Sequence, residues 1–512
     1  MLAAMPPTRP TTPEPGEARI RDRGDACPGA LRLHPAEDGR LARLRLPAGR
    51  LTAHQVEVLA HAAETLGDGR ISITSRGNAE LRGLADDCGA RLAALLTDAG
   101  LLPSPTHERV RNIVASPTAG LDGLGSADVQ LWARELDAAL CAAPRAAALS
   151  GRFLFVLDDG RGDVAALGGD VSLVAGGDGS VLLRLGPRAF RLAAADAVRA
   201  ALAAALAFLD AADAAGNGAW RPQELPAGHE PDWAGALAAA GIAAEPVPVP
   251  PPPTSRPPAP GVLRDGALYV LAPLGRLTAA QLRALLPADE VRLTPWRGAV
   301  VVGPRTPQGP APDVRPTGPQ APGLTATGPQ AHGPARADRL PAQDATPANR
   351  LPAQGETPTD RLAARSETPA DPLPAQDATS AGPLAAQGET PAERPPAQAP
   401  TPADRLALLE AAGLVTRADA ALAGVTVCTG RHGCAKSLAD VRADALAAPA
   451  GPLPVHFSGC ARGCGHPYGD WIEVLATGDD TYRVDGVPTP RASLSAAVAA
   501  ARTASTHPPH TR

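Results

Sequence analysis

Gly49-Arg50-Leu51-Thr52-Ala53-His54-Gln55 returns far along the chain as Gly275-Arg276-Leu277-Thr278-Ala279-Ala280-Gln281. Each copy follows an extended apolar run, residues 41–46 in the first and 267–271 in the second, and each places Thr where a helix N-cap can accept a backbone N–H. The strands expected after these helices also correspond. Arg70-Ile71-Ser72-Ile73-Thr74-Ser75-Arg76-Gly77 matches Val291-Arg292-Leu293-Thr294-Pro295-Trp296-Arg297-Gly298. Two such strand–helix–strand units can share a sheet backed by two helices.

Working outward, the segments after each copy agree in outline. Behind the first lie Ala-rich helices over 127–148, a strand over 153–157 and a hairpin turning at Gly176-Gly177-Asp178-Gly179. Behind the second lie a helix over 404–412, a strand into Cys428, a helix over 435–448 that Cys434 would open, a strand into Phe457 and a hairpin at Gly478-Asp479-Asp480. The sequence therefore predicts an α+β protein with pseudo-twofold symmetry, whose site lies where the halves meet.

A chain of 512 residues is too long for one core. Its 58 Pro and 52 Gly are clustered unevenly, which marks stretches that cannot pack. Residues 246–260 (PVPVPPPPTSRPPAP) read as a polyproline spacer. Residues 304–402 repeat a unit seen as RLPAQDATPAN and RLPAQGETPTD. Each unit offers too little apolar surface to offset its ordering entropy, so this is read as a disordered low-complexity insert. The expected organisation is a disordered leader (1–24), a first half-domain (25–95), a first α/β lobe (96–245), the linker (246–260), a second half-domain (261–303), the insert (304–402), a metal-binding lobe (403–500) and a disordered tail (501–512).

Net charge is −5, which gives no general pull toward nucleic acid or a membrane surface. The leader lacks the uninterrupted apolar run of a signal peptide, and the most apolar segment, residues 192–215, carries Asp196, Arg199, Asp210 and Asp213. The expected location is the cytoplasm. In a reducing compartment clustered cysteines point to metal rather than disulfides.

Cys428-x5-Cys434 and Cys460-x3-Cys464 each leave a β-rich run and enter a Gly-rich loop. Two loops from neighbouring strands can bring four thiolates to a [4Fe–4S] cubane, with glycine N–H groups free to face its sulfides. Four thiolates also suit a structural zinc ion, though zinc loops more often use two to four intervening residues. Cys88 and Cys141 lie in helical patterns among apolar neighbours and Cys27 precedes a strand, and all three read as structural.

The motifs CTGRHGC and FSGCARGCGHP resemble the cluster signature of the sirohaem-dependent sulfite and nitrite reductases, and the duplicated units resemble their ferredoxin-like half-domains. Within that superfamily CPGALRLHPAEDGRLARLRLPAGRLT, ISITSRGNAELRGL, RNIVASPTAGLDG and CTGRHGCAKSLADVRADA are most similar to the precorrin-3B synthase family. The resemblance implies two ferredoxin-like half-domains and two α/β lobes. It also implies a [4Fe–4S] cluster on Cys428, Cys434, Cys460 and Cys464, and tetrapyrrole carboxylates bound by Arg76, Arg111 and Arg152. Guanidinium suits forked carboxylate binding. Leu154 stands where the reductases place a lysine, which weighs against reduction of a small anion.

The implied reaction is hydroxylation of precorrin-3A at C20 with γ-lactone formation. O2 would be consumed, and NADH or NADPH would be the ultimate donor through an electron-carrier protein. No GxGxxG follows a strand, so no built-in dinucleotide domain is expected. The resemblance further implies a mononuclear non-haem iron, for which His432, His456 and His466 are candidate ligands near the cysteines. Each also reads as a hydrogen-bonding loop residue. Arg431 and the chain's single lysine, Lys436, flank the cysteines and serve equally as caps, as solvated side chains or in the site. The alternative reading is a sirohaem sulfite or nitrite reductase.

Overall fold

In a computed structural model, the structure describes residues 25, 27–303, 400–467 and 469–503. The leader, nearly all of the insert and residues 504–512 lie outside them. The described residues fall within one compact unit.

The repeated heptapeptide produces the same local structure twice. Pro47 and Pro273 each open a short 3-10 turn, Pro47–Gly49 and Pro273–Gly275, in which Ala48 (φ 56°) and Leu274 (φ 49°) take left-handed conformations. A two- or three-residue strand follows, and then Thr52 or Thr278 caps a helix, Ala53–Leu66 or Ala279–Ala284. Both caps are reciprocal. Thr52 Oγ1 accepts from Gln55 N at 3.2 Å while Thr52 N donates to Gln55 Oε1 at 3.0 Å, and Thr278 with Gln281 repeats this at 3.1 and 3.0 Å. Such a box contributes about 1 kcal/mol.

The short strands are exchanged between the copies. Arg50–Leu51 leaves its own half and pairs with Glu290–Leu293, in register Leu51 to Val291. Arg276–Thr278 returns the exchange by pairing with Arg70–Ile73, Leu277 opposite Ile71. The result is two five-stranded sheets of matching order, each completed by a strand of the other copy. Gly49 makes the crossing possible: its φ is +70°, and a Cβ there would stand 1.9 Å from Leu293 O. Helices Ala53–Leu66 and Ala279–Ala284 pack against each other, and both sheets share one core containing Leu59, Ile71, Leu277 and Val291.

Helix Pro402–Ala411 differs in allegiance from the sequence expectation. It corresponds to Gly89–Asp98 of the first copy and not to the second lobe, its expected place. Leu409 and Leu414 join the half-domain core. Gln281 Nε2 holds Ala412 O at 3.1 Å as Gln55 Nε2 holds Ala99 O at 3.0 Å. The insert thus interrupts the second half-domain, between strand Gly298–Val302 and this helix.

Each lobe is a mixed sheet. In the first, Ile113–Ala115, Phe155–Asp158 and Val171–Ala175 run parallel, and Ser180–Leu185, Arg188–Ala193 and Glu245–Val247 continue antiparallel. In the second, Val425–Val427, Val455–Ser458 and Ile472–Ala476 run parallel before Thr481–Val484 and Val487–Pro490. Helices Ala197–Ala215 and Leu494–Thr503 close the two lobes. The second of these corrects the tail boundary, because residues 501–503 are helical and Arg502 is fully buried. Among the described residues no helix is long and apolar enough to cross a membrane.

Candidate metal centre and adjoining cavity

Parallel pairing of Val425–Val427 with Val455–Ser458 puts the loops that leave them on the same sheet edge. Cys428 and Cys460 stand at those exits, and Cys434 and Cys464 follow within the loops. All four line one cavity of about 420 Å³. Backbone groups tie the loops together: Cys428 N donates to Phe457 O at 3.0 Å, Leu438 N to Gly459 O at 2.7 Å, and Gly459 N to Cys428 Sγ at 3.2 Å. Gly459 must be glycine here, since a Cβ would stand 1.8 Å from Ser437 Oγ.

Cys434 does not open a helix. It lies between two turns, with Ser437 N donating to Cys434 O, and among the described residues the helical segment before the next strand is Val441–Ala445, far shorter than the expected 435–448. Asp440 caps that later helix, accepting from Ala443 N at 3.2 Å. Support for thiolate in these loops therefore comes from single backbone N–H groups and not from a helix terminus.

Burial raises the Cys428 thiol, against hydrogen bonds from Gly459 and Gly430. Burial and then the three neighbouring sulfurs push Cys464 up to about 11. Burial and neighbouring sulfurs oppose ionisation of Cys428 and Cys464, and a multiply charged cation would favour their thiolates. Among the described residues, the one set of three His, Cys, Asp or Glu ligand atoms lying within 4.8 Å of one another is Asp158, Asp159 and Asp163, so the sulfurs are spread more widely. Sulfurs around one tetrahedral zinc at Zn–S distances of about 2.3 Å would lie roughly 3.8 Å apart. The donor set therefore fits a polynuclear iron–sulfur cluster better than a single ion.

Arginines from the half-domains (Arg82, Arg276 and Arg297) and from the second lobe (Arg442) complete this cavity. Arg82 Nη2 donates to Gly433 O at 2.6 Å and is itself held by Asp38 and Glu80. Arg442 donates to Cys428 O at 3.1 Å and Leu274 O at 2.7 Å, and burial followed by Arg276 and Arg297 pushes it down to about 9. Sequence reading missed all of these. Arg276 belongs to the repeated heptapeptide, and that repetition was the available signal.

A second cavity, about 690 Å³, shares Ser75, Gly275, Arg297 and Gly465 with the first. Arg76 and Leu154 line it, as do Trp296, His466 and residues 254–260. Burial, then repulsion from Arg45 and Arg221, pushes Arg76 down to about 9. Arg297 occupies the position equivalent to Arg76 in the duplicated copy, and it bridges the parts. Its Nη2 donates to Gly465 O at 2.7 Å and its Nη1 to Ile73 O at 3.3 Å.

The other expected residues are placed differently. Arg111 gives both arms of its fork to Asp137, at 2.6 and 2.8 Å, and a further bond to Leu101 O, and it lines neither cavity. Arg152 lies over the Trp220 ring at 5.8 Å and also lines neither. Local partners have captured both. Arg431 pairs with Asp479 and donates to Leu438 O, while His432 (φ 68°) and Lys436 are exposed.

His456 is fully buried, with Nδ1 on Thr426 Oγ1 at 2.9 Å, and burial, then Arg297 and His466, hold it well below the ordinary imidazole range. His466 stacks on Trp471 at 5.2 Å and shares a bond with Pro467 O. The three histidines are not gathered with a carboxylate into a two-His-one-carboxylate set among the described residues. They do not fit the expected second iron.

The equivalent loops of the first lobe carry an ion network. Asp158 accepts from the backbone N–H of Gly160, Gly162, Val164 and Ala165. Arg161 forks onto Asp159 and reaches Asp122, with Asp163 Oδ2 at 3.9 Å. Burial pushes Asp163 up to about 7, against a hydrogen bond from Ser116.

Residues 34–98 match the nitrite/sulfite reductase ferredoxin-like half domain. A solved structure of the Mycobacterium tuberculosis NirA protein superposes with a TM-score of 0.56 over 89% of this chain and 79% of that one, at 14% identity. The chain has the nitrite/sulfite reductase fold. In sequence it is similar to a Sinorhizobium precorrin-3B synthase, 35% identical over 167 residues, which is 32% of this chain and 35% of that protein. It is also similar to a ferredoxin–nitrite reductase of Leptolyngbya laminosa, 38% identical over 93 residues, and to one of Synechococcus elongatus, 38% identical over 112. Those matches cover 18% and 22% of the two reductases, and 18% and 21% of this chain.

Proposed function

We propose that this chain is an iron–sulfur oxidoreductase of cobalamin biosynthesis, a precorrin-3B synthase-type monooxygenase that hydroxylates precorrin-3A at C20 with γ-lactone formation. The observation that carries the reading is the joining of a four-thiol cavity to an arginine-lined one through Arg297 and Gly465. Cys428, Cys434, Cys460 and Cys464 would hold the cluster, which when bound supplies electrons one at a time.

The protein's own residues would bind and orient. The larger cavity has flat apolar surface at Trp296 and Leu154 for a macrocycle, and Arg76 and Arg297 at its margin for peripheral carboxylates. Arg76 makes no ion pair within 4 Å among the described residues, and the nearby Asp170 does not outweigh burial and the repulsion of Arg45 and Arg221, so an arriving anion would relieve its charge. Apolar Leu154 in the lining favours this reading over reduction of a small anion. The electrons would come ultimately from NADH or NADPH through a carrier protein, with O2 as oxidant.

Similarity to the nitrite reductases keeps a sirohaem enzyme as the second reading. Anaerobic purification separates the two. The synthase reading expects about four irons and four acid-labile sulfides, no retained haem spectrum, and O2-dependent conversion of precorrin-3A that Cys464→Ser abolishes. Tightly bound sirohaem would overturn it, and stoichiometric zinc without sulfide would overturn the cluster itself.

A further inference from the structure

The proline-rich segment 246–260 does more than connect. At its start, strand Glu245–Val247 forms an edge strand on Arg188–Ala193 of the first lobe, and just past its far end Gly261–Val262 pairs with Leu268–Leu271 of the second half-domain. Between these moorings it is docked a third time. Ser255 N donates to Gly162 O at 2.9 Å. Gly162 (φ +84°) lies so close beneath that a Cβ there would stand 2.7 Å from the Pro253 backbone. A passive tether would need none of this.

Residues 254–260 all line the larger cavity. Within this run Arg256 is the one charged side chain, and among the described residues it has no ion pair. It shares the lining with Arg76 and Arg297, whereas Asp163 is the one carboxylate there and already accepts from Ser116. The lining therefore carries an excess of guanidinium that a polyanionic ligand would neutralise. Proline restricts the backbone before any ligand arrives, so little ordering entropy opposes binding through this segment.

Resting on the tetrapyrrole reading above, we propose that residues 254–260 are a fixed wall of the macrocycle cavity and that Arg256 binds one of the ligand's peripheral carboxylates, making the strap a selector of polycarboxylate tetrapyrroles. The probe is uroporphyrin III, a flat macrocycle with eight carboxylates, titrated by fluorescence quenching against the full-length protein. Arg256→Gln should weaken binding about tenfold and lower its salt dependence, with an unchanged melting temperature, while Arg256→Lys should recover part of the affinity. Ser255→Pro, which removes the N–H held by Gly162 and leaves Arg256 in place, should also weaken binding several-fold. Arg76→Gln serves as the control for the cavity. If Arg76→Gln weakens binding while Arg256→Gln and Ser255→Pro do not, the strap has no such role and the tetrapyrrole reading stands. If the wild-type protein does not bind uroporphyrin III, both fall.

Discussion

Arg502 offers the sharpest test of how the second lobe is held together. It sits in the last turn of helix Leu494–Thr503, fully buried, and has no carboxylate partner among the described residues. Its guanidinium instead donates to four carbonyls: Ala423 at 2.9 Å, Leu453 at 2.8 Å, Gly451 at 2.7 Å and Pro449 at 2.5 Å. These carbonyls belong to the segments that feed strands Val425–Val427 and Val455–Ser458, and hence Cys428 and Cys460. Arg502→Met keeps the bulk and removes every donor. Each orphaned buried carbonyl costs about 1–3 kcal/mol. Against this stands relief of several kcal/mol from no longer burying a cation. Ala423 and Gly451 border the larger cavity, where water can reach them, so the net loss should be about 2–5 kcal/mol. Urea unfolding followed by far-ultraviolet circular dichroism would measure it, with exposed Arg417→Met as control. In cluster-loaded protein, the cluster absorbance should disappear at lower urea than in the wild type. A loss below about 0.5 kcal/mol would refute the view that this arginine organises the lobe.

Gly465→Ala should disturb both cavities, because a Cβ at this position (φ +82°) would stand 2.2 Å from Arg297 Nη2. We expect about 1–3 kcal/mol of destabilisation and weaker uroporphyrin III binding, read by melting and titration. Glu80 provides a pH test. Burial pushes its carboxyl up, but Arg43 at 2.5 Å and Arg82 at 3.2 Å outweigh burial and bring it down to about 2. A depressed folded pKa contributes stability that is complete above about 4.5 and is lost as pH falls toward 2. Asp170 acts in the opposite sense: burial raises it to about 6, so its contribution is complete below about 3.8 and is lost as pH rises through 6. Glu80→Gln should therefore be less stable at pH 7 and show a flatter urea midpoint between pH 2 and 4.5. An unchanged acid slope would count against the Arg43–Glu80–Arg82 network.

The repeated frame was legible because backbone requirements leave marks in sequence. Thr52 and Thr278, Gln55 and Gln281, and Gly49 and Gly275 recur because a cap, a clamp and a tight crossing each admit few residue types. The cysteine spacing was legible for a similar reason, since loops leaving two adjacent strands must return four sulfurs to one place. Side-chain partnership was not. Nothing local in RNIVASP says that Asp137, on the helix beyond, will occupy Arg111, and Trp220 is farther still from Arg152. Arg297 could have been found, because the alignment of the copies sets it against Arg76. The role of residues 254–260 was hidden because proline content describes stiffness and says nothing about what the stiff segment lies against. The helix expected at Cys434 failed because residues 435–440 are committed to turns that bond Ser437 N to Cys434 O and Leu438 N to Gly459 O.

The two lobes solve one problem in opposite ways. Loops leaving Ile113–Ala115 and Phe155–Asp158 converge at a sheet edge just as those leaving Val425–Val427 and Val455–Ser458 do. Convergence packs polar loop backbone and anionic side chains into a confined space, and something positive must fill it. In the first lobe that filling is supplied by the chain, as Arg161 among Asp122, Asp159 and Asp163. In the second lobe the four cysteines line the equivalent place, and on the reading proposed above the positive charge comes from outside, with the cluster. One lobe can thus reach its final form as soon as it is synthesised, whereas the other, if it holds that cluster, waits for a delivery. On the cluster reading proposed above, iron starvation should leave a protein mature on one side and unfinished on the other.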